Sequence, residues 1–366
     1  MILGIPKEIK NNEYRVGILP VGVESLVRAG HEVIIETQAG VGSGIEDEQY
    51  INAGAKIVRR AQDVYARAEM IVKIKEPLEQ EYELLREGQI LFTYLHLAAS
   101  RSLTEALLKR KVIAFAYETL QTPNGELPCL TPMSEVAGRM APQEGAKYLE
   151  EPMQGRGILL GGVPGVAPAE VAVIGAGVVG SNACLIASGM GANVTVLDVN
   201  LNRLRYLEEV MPPNVHTIMS NAHTIRDAVL KADLVISSVL IRGAKAPCLI
   251  NRELVSRMKK GSVIVDVAID QGGSVETSKP TTHENPTYVV DGVVHYCVTN
   301  MPGAVARTST YALTNATFPY ILQLANKGYA RSLKDSYELK RALNVNNGEL
   351  IIKEVAETFA MPYREF

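Results

Sequence analysis

The three glycines of Gly175-Ala176-Gly177-Val178-Val179-Gly180 stand at the spacing that seats a dinucleotide pyrophosphate on a helix N-terminus. Alone the motif is weak, because glycine is common and the pattern is short. Here an apolar run at 171–174 predicts a strand directly before it, and 178–187 predicts a helix directly after it. Asp198 ends the next predicted strand, eighteen positions beyond Gly180. Gly175 would allow the tight turn, Gly177 the approach of the pyrophosphate to the backbone, and Gly180 the close packing of helix on strand. The helix N-terminus, with Val178 and Val179 in its first turn, would add amide donors and a positive dipole end. Asp198 would accept hydrogen bonds from the adenosine ribose and repel a 2′-phosphate, which favours NAD over NADP. Arg203 could argue the other way, but it reads as well as a helix-face arginine or one lying over the adenine.

Four further side chains have types that could do chemistry on a small acid. Arg15 could clamp a carboxylate bidentately, where a lysine offers only a point charge. Lys73 and Lys75 end a predicted strand at 70–75 and share a face by the two-residue period. Both could be solvated strand-end lysines, and for Lys73 that reading stands. His96 shares a face with Tyr94 where the predicted strand 90–95 gives way to a loop, and histidine titrates near neutral pH. A satisfied core histidine would look the same in sequence. Asp270 follows the predicted strand 263–267 and could orient water or hold a charged intermediate, or could be only a turn aspartate before Gly272-Gly273.

Positioning these residues requires strand–helix alternation, and the chain has it twice. Strands are expected at 2–5, 33–35, 70–75, 90–95 and 112–116, with helices at 21–29 and 102–109. A second series is expected at 171–174, 194–197, 217–219, 234–237 and 263–267, with helices between. Ser220 closes the third of these, a natural place to meet adenosine. A capped helix from Ser134 toward Tyr148, leading into the glycine-rich stretch 155–165, reads as the connection between domains. Beyond Pro302 the β pattern stops and only helices are expected. The fold class is therefore α/β, with two doubly wound Rossmann-like domains, an active-site cleft between them and a helical C-terminal tail. We expect residues 1–128 with 305–366 to form the catalytic domain and 129–304 the NAD-binding domain.

Composition bounds the partners. With 366 residues at about 150 per domain, two domains are the first expectation. Thirty-seven basic against forty acidic residues leave a charge of −3, which argues against a grip on nucleic acid or an anionic membrane. The apolar run at 158–180 contains Glu170, Pro164, Pro168 and several glycines, so it reads as loop, strand and turn rather than a spanning helix. Cys129, Cys184, Cys248 and Cys297 are far apart, which fits buried free thiols in a reducing, cytoplasmic protein. The histidines have no partners at metal-ligand spacing, and no metal is expected.

Several blocks together resemble the family that joins alanine dehydrogenases with the alpha subunits of proton-translocating nicotinamide nucleotide transhydrogenases. They are Gly4-Ile5-Pro6-Lys7-Glu8 with Asn12-Glu13-Tyr14-Arg15-Val16, Val72-Lys73-Ile74-Lys75-Glu76-Pro77, and Phe92-Thr93-Tyr94-Leu95-His96-Leu97-Ala98. Pro132-Met133-Ser134-Glu135-Val136-Ala137-Gly138-Arg139, Val265-Asp266-Val267-Ala268-Ile269-Asp270-Gln271-Gly272-Gly273 and Asn300-Met301-Pro302-Gly303-Ala304 complete the set. The resemblance covers nearly the whole chain. Departures are mild: Gly17 and Ile269 stand where alanine and valine are usual, and Arg242 replaces a common proline.

The resemblance implies reversible oxidative deamination of L-alanine to pyruvate and ammonium with NAD, in a homo-oligomer that is typically a hexamer. It implies that His96 and Asp270 are catalytic and that Arg15 and Lys75 hold the substrate. It implies cofactor contacts at Ser134, Val178, Val179, Asp198, Ser220, Val239, Leu240, Val267, Ala268, Ile269, Asp270, Val298, Thr299, Asn300 and Met301. One alternative is a transhydrogenase alpha-type subunit exchanging hydride with a partner, though the long docking loop expected of one is absent. Another is an inactive NAD-binding regulator, which need not retain Arg15, Lys75, His96 and Asp270 together.

Overall fold

Runs such as Ile2–Ile5, Ile90–Thr93 and Ile113–Ala116 are apolar at almost every position, and strands of that kind need both faces covered. They lie in a parallel sheet. The computed structural model describes residues 1–239 and 247–365, so the expectations at Leu240 and Arg242 lie outside the described residues. The chain divides into two compact units, Met1–Met133 with Val305–Phe366 and Ser134–Ala304.

The first unit opens with β1 (Ile2–Ile5), β2 (Glu32–Glu36), β3 (Lys56–Val58), β4 (Met70–Val72), β5 (Ile90–Thr93) and β6 (Ile113–Ala116). The second carries β7 (Glu170–Ile174), β8 (Asn193–Asp198), β9 (Val215–Met219), β10 (Leu234–Ser237), β11 (Val263–Asp266), β12 (Thr287–Val290) and β13 (Val293–Tyr296). The chain then returns to the first unit for β14 (Leu343–Asn346) and β15 (Glu349–Leu350). Among the described residues the first sheet runs β15-β14-β6-β5-β4-β1-β2-β3 and the second β12-β13-β11-β10-β7-β8-β9. β1 to β6 pair in parallel, and so do all strands of the second sheet except the antiparallel edge β12. Each sheet reverses its winding beside its first strand: β2 and β4 flank β1, while β8 and β10 flank β7. Open α/β sheets bind ligands outside the C-terminal strand ends at such a reversal.

Local signals start the connecting helices. Ser100 caps Arg101–Arg110 by accepting the Leu103 N–H, and Asn200 caps Leu201–Val210 through the N–H groups of Asn202 and Arg203. Asn221 and Thr224 form a capping box at Ala222–Lys231.

The fold departs from expectation at three places. The tail is not purely helical. Helical Ala306–Asp335, interrupted at Gly328 (φ 70), is followed by a hairpin whose turn places Asn347 and Gly348 at φ 50 and 90. Through it β14 pairs antiparallel with β6 and extends the first sheet. The predicted strand 70–75 ends at Val72, so Lys73 and Lys75 lie beyond it and the two-residue period does not relate them. Short β3, β12 and β13 were not expected at all. Of the thiols, Cys129, Cys184 and Cys297 are buried, but Cys248 is exposed. No described helix is long and apolar enough to cross a membrane.

Candidate active site

In the second unit the glycine loop sits at the end of β7, as its spacing predicts. Gly175 has φ 102, a conformation that only glycine adopts cheaply, and its N–H donates to Leu197 O at 2.7 Å. A Cβ at Gly180 would overlap the Gly175 carbonyl oxygen, whereas one at Gly177 would project into open space beside the start of helix Val178–Gly189. That combination suits a dinucleotide: one glycine packs the helix tightly, another leaves room for a pyrophosphate. Gly180→Ala is expected to destabilise the chain by about 1–3 kcal/mol through overpacking. Thermal melting would check the stability, and weakened NADH binding in a fluorescence titration would check that the loop had opened.

Asp198 and Arg203 grip the same residue, Ala176, one at its N–H and the other at its C=O. Asp198 Oδ2 accepts the Ala176 N–H at 2.6 Å and Oδ1 accepts the Asn200 N–H at 2.7 Å. Arg203 Nε donates to Ala176 O at 3.0 Å and Nη2 to Ser181 Oγ at 2.7 Å, with its guanidinium 5.0 Å from the Tyr206 ring centre. Arg203 is thus a loop-bracing residue here rather than a free helix-face arginine. Ser220 follows β9 and donates its N–H to Asp198 O at 2.9 Å. Helix Thr131–Tyr148 approaches Val179 so closely that a Cβ at Gly138 would overlap the Val179 carbonyl. Ser134 lies one turn earlier on that face.

Val239 follows β10 and packs on the apolar cluster around Val235 and Ile250. Val267, Ala268, Ile269 and Asp270 lie in the 3₁₀ turn Val267–Gln271 after β11, with Ala268 and Ile269 buried and Asp270 exposed. Val298 and Met301 are buried, and Thr299 donates its N–H to Thr281 O at 3.2 Å. Asn300 has φ 61, and its carbonyl oxygen lies 3.2 Å from His283 Nε2.

In the first unit, the segments after β1, β4 and β5 bring Arg15, Lys75 and His96 to the C-terminal side of one sheet. Arg15 is 2% exposed. Its Nε and Nη2 donate to Glu13 Oε1 and Oε2 at 2.6 and 2.5 Å, and its Nη1 lies 3.1 Å from Met133 Sδ. Burial alone would raise the Glu13 pKa, but hydrogen bonds and charge from Arg15 hold it below the ordinary value. The Arg15 segment is braced by the long C-terminal helix, where Thr310 Oγ1 accepts the Val16 N–H at 3.2 Å.

Lys75 is partly buried, and its ammonium has no hydrogen-bond partner among the described residues. Its pKa falls below the ordinary lysine value through burial first, then through the neighbouring charges of Arg15 and Lys10. Lys73 corrects the sequence reading. It is 1% exposed rather than solvated, and it bonds Glu8 Oε2 at 3.1 Å and Glu81 Oε1 at 2.9 Å. Burial would lower its pKa, yet the two carboxylates outweigh burial and hold it above the ordinary value.

His96 is 46% exposed and adopts φ 48, a backbone conformation unusual for a residue with a side chain. Glu118 stabilises that conformation by accepting the His96 N–H at 2.6 Å and the Leu95 N–H at 3.2 Å, with Oε1 4.0 Å from His96 Nδ1. The imidazole stacks on Tyr94 at 5.7 Å with rings 3° from parallel, and the Tyr94 hydroxyl is tied to Cys129 O at 2.6 Å. It is no core histidine. Glu8, Glu13 and Glu118 carry the supporting contacts, and nothing in sequence reasoning gave them a role. The first two lay in the opening blocks; Glu118 had no signal at all.

Known proteins resemble the chain over almost its whole length. Residues 4–137 match the family described as Alanine dehydrogenase/PNT, N-terminal domain, and residues 141–353 its C-terminal domain. The chain is 58% identical to an alanine dehydrogenase of Methanococcus maripaludis over 99% of this chain and 98% of that protein. It is 53% identical to one from Mycolicibacterium smegmatis, over 100% and 98% of the two chains. A solved L-alanine dehydrogenase superposes with a TM-score of 0.96 at 52% identity, covering 98% of this chain and 99% of that one. A transhydrogenase structure from Sinorhizobium meliloti gives 0.82 at 26% identity, over 96% and 99%. With both family domains matched in order and more than half its residues shared with such relatives end to end, the chain belongs to the alanine dehydrogenase/PNT family.

Proposed function

We infer that the chain catalyses the reversible oxidative deamination of L-alanine to pyruvate and ammonium with NAD. The observation that carries this reading is the half-buried Lys75 ammonium, which has no hydrogen-bond partner among the described residues and stands beside the Glu13-paired Arg15. A half-buried ammonium next to a second cation is costly to desolvate, and an anionic substrate offsets that cost. Close relatives named alanine dehydrogenase supply the substrate class.

NAD, when bound, accepts hydride from the substrate Cα. The glycine loop, Asp198 and the contacts proposed from Ser134 to Met301 hold it. Glu13 holds the Nε–Nη2 edge of Arg15 and so orients the guanidinium to which we assign the substrate carboxylate. Lys75 holds the oxygen that becomes the pyruvate carbonyl. His96 takes a proton from water as it adds to the iminium carbon and returns it to the amine nitrogen; the C–N bond then breaks, ammonia leaves, and His96 takes the hydroxyl proton as the C=O forms. Asp270 is the carboxylate assigned to the charged intermediate. The purified chain alone should form NADH from L-alanine; no NADH formation would reject this reading. A transhydrogenase-type subunit would instead need its partner for turnover, and a regulator would show none. A cytoplasmic location and hexameric assembly go with the reading, and light scattering would test the assembly.

Asp198→Ala should weaken NAD binding by about 10–100-fold, the value of a hydrogen bond to a charged group. It should also narrow the preference over NADP, because the charge facing a 2′-phosphate is gone. Unchanged affinities for both cofactors in fluorescence titrations would misplace the ribose site.

A further inference from the structure

A group of buried charges lies behind Lys75, and the reaction as described gives it no task. Lys73 is enclosed between Glu8 and Glu81, and Glu81 Oε1 also accepts the Tyr65 hydroxyl at 2.8 Å. Buried ion pairs of this kind are poor stabilisers, since desolvation consumes most of the Coulombic gain. Glu8 does something more specific. It follows β1, while Lys75 follows the neighbouring strand β4. Its Oε1 accepts the Ile74 N–H at 2.6 Å and the Lys75 N–H at 3.3 Å, leaving Oε2 for Lys73. On the other side of the same residue, Thr93 Oγ1 donates to the Lys75 carbonyl at 2.9 Å. The Lys75 backbone is therefore held at its N–H from the segment after β1 and at its C=O from the end of β5, in a stretch that belongs to no strand.

We propose that Glu8 is the positioning residue of Lys75, fixing through the Ile74 and Lys75 amides where the substrate-facing ammonium stands, with Lys73 holding the other Glu8 oxygen in place. This rests on the assignment of Lys75 to the substrate. Glu8 itself does not touch substrate, so its effect should appear only through Lys75.

The test compares two double variants of the full chain. Glu8→Gln with Lys73→Met keeps an acceptor for the two amides and removes both charges. Glu8→Met with Lys73→Met removes the same charges and the acceptor too. Both leave Glu81 with Tyr65, so any general loss of stability is shared and cancels in the comparison. The Met pair should reduce kcat for pyruvate reduction by about tenfold or more relative to the Gln pair, as misplacing a catalytic contact does. NADH affinity should be equal in both. Backbone hydrogen exchange in the peptide spanning Ile74 and Lys75 should quicken in the Met pair alone. Adding Lys75→Met to each should abolish the kinetic difference, because a residue acting through Lys75 has nothing left to act on. Equal kinetics for the two pairs, or a difference that survives Lys75→Met, overturns the inference while wild-type turnover leaves the activity reading standing. Absence of wild-type turnover overturns that reading, and this inference with it.

Discussion

His96→Ala should lower turnover in both directions by about 10²–10⁴-fold, the usual worth of a positioned acid–base group, while NADH still binds with wild-type affinity. The ring is 46% exposed and rests flat on Tyr94, so removing it opens no core cavity. Tyr94 keeps its own anchor at Cys129 O, so the platform beneath stays in place. A φ of 48 strains an alanine as it strains any residue with a Cβ, and Glu118 continues to accept the backbone N–H. Loss of the imidazole therefore removes the proton carrier and little else. Steady-state rates in both directions, an NADH titration and a melting curve separate these effects. Retention of most of the wild-type rate would take His96 out of acid–base chemistry. A fall in melting temperature matching the fall in rate would make the residue structural instead.

The parts of this molecule that were legible in sequence are those whose cause is local. Gly175 and Gly180 are required by a turn and a helix contact within six residues of each other, so their spacing states their function. The apolar runs of β1, β5 and β7 are short and bounded by turn signals, the pattern of strands covered on both faces. The hairpin of β14 and β15 also had a local signal, Asn347-Gly348, which is the usual residue pair for a tight two-residue turn. It escaped because the strands it joins are so short, one of them only Glu349–Leu350.

What could not be read locally depends on partners far along the chain. Lys73 looks like a strand-end lysine because a lysine is buried only when carboxylates meet it. Those carboxylates, Glu8 and Glu81, come from either side of it, one of them sixty-five residues away. The same holds for Glu118, which reaches His96 only after β5 and β6 have paired. Arg15 presents the reverse case. Its role was implied by family resemblance, but its burial and its edge-on pairing with Glu13 are properties of the folded segment. Positions in a dinucleotide fold can thus be named from a motif, while the charge state and orientation of each group need the tertiary contacts.

Arg15 and Lys75 should fail differently, and the difference follows from which substrate oxygen each one holds. The carboxylate is present throughout the reaction, so binding it stabilises ground state and transition state alike. Arg15→Lys keeps a charge beside Glu13 but loses the fork, and should raise KM for alanine and pyruvate by about tenfold or more with a smaller change in kcat. Lys75 acts on an oxygen that exists only on the pyruvate side. Lys75→Met keeps much of the length without the charge, and should lower kcat for pyruvate reduction by about 10²–10³-fold, as loss of an oxyanion donor does. A pH series adds an independent check. Burial and the charges of Arg15 and Lys10 set the Lys75 pKa below the ordinary 10.5, so its ammonium is present at low pH and lost as pH rises through that lowered value. Pyruvate affinity for the NADH complex, measured without ammonium, should therefore fall on the alkaline side before an ordinary lysine would titrate. In Lys75→Met that limb should vanish, leaving weak binding that no longer follows a lysine. Unchanged KM values in Arg15→Lys would release the carboxylate from Arg15, and an alkaline limb that persists in Lys75→Met would give that titration to another group.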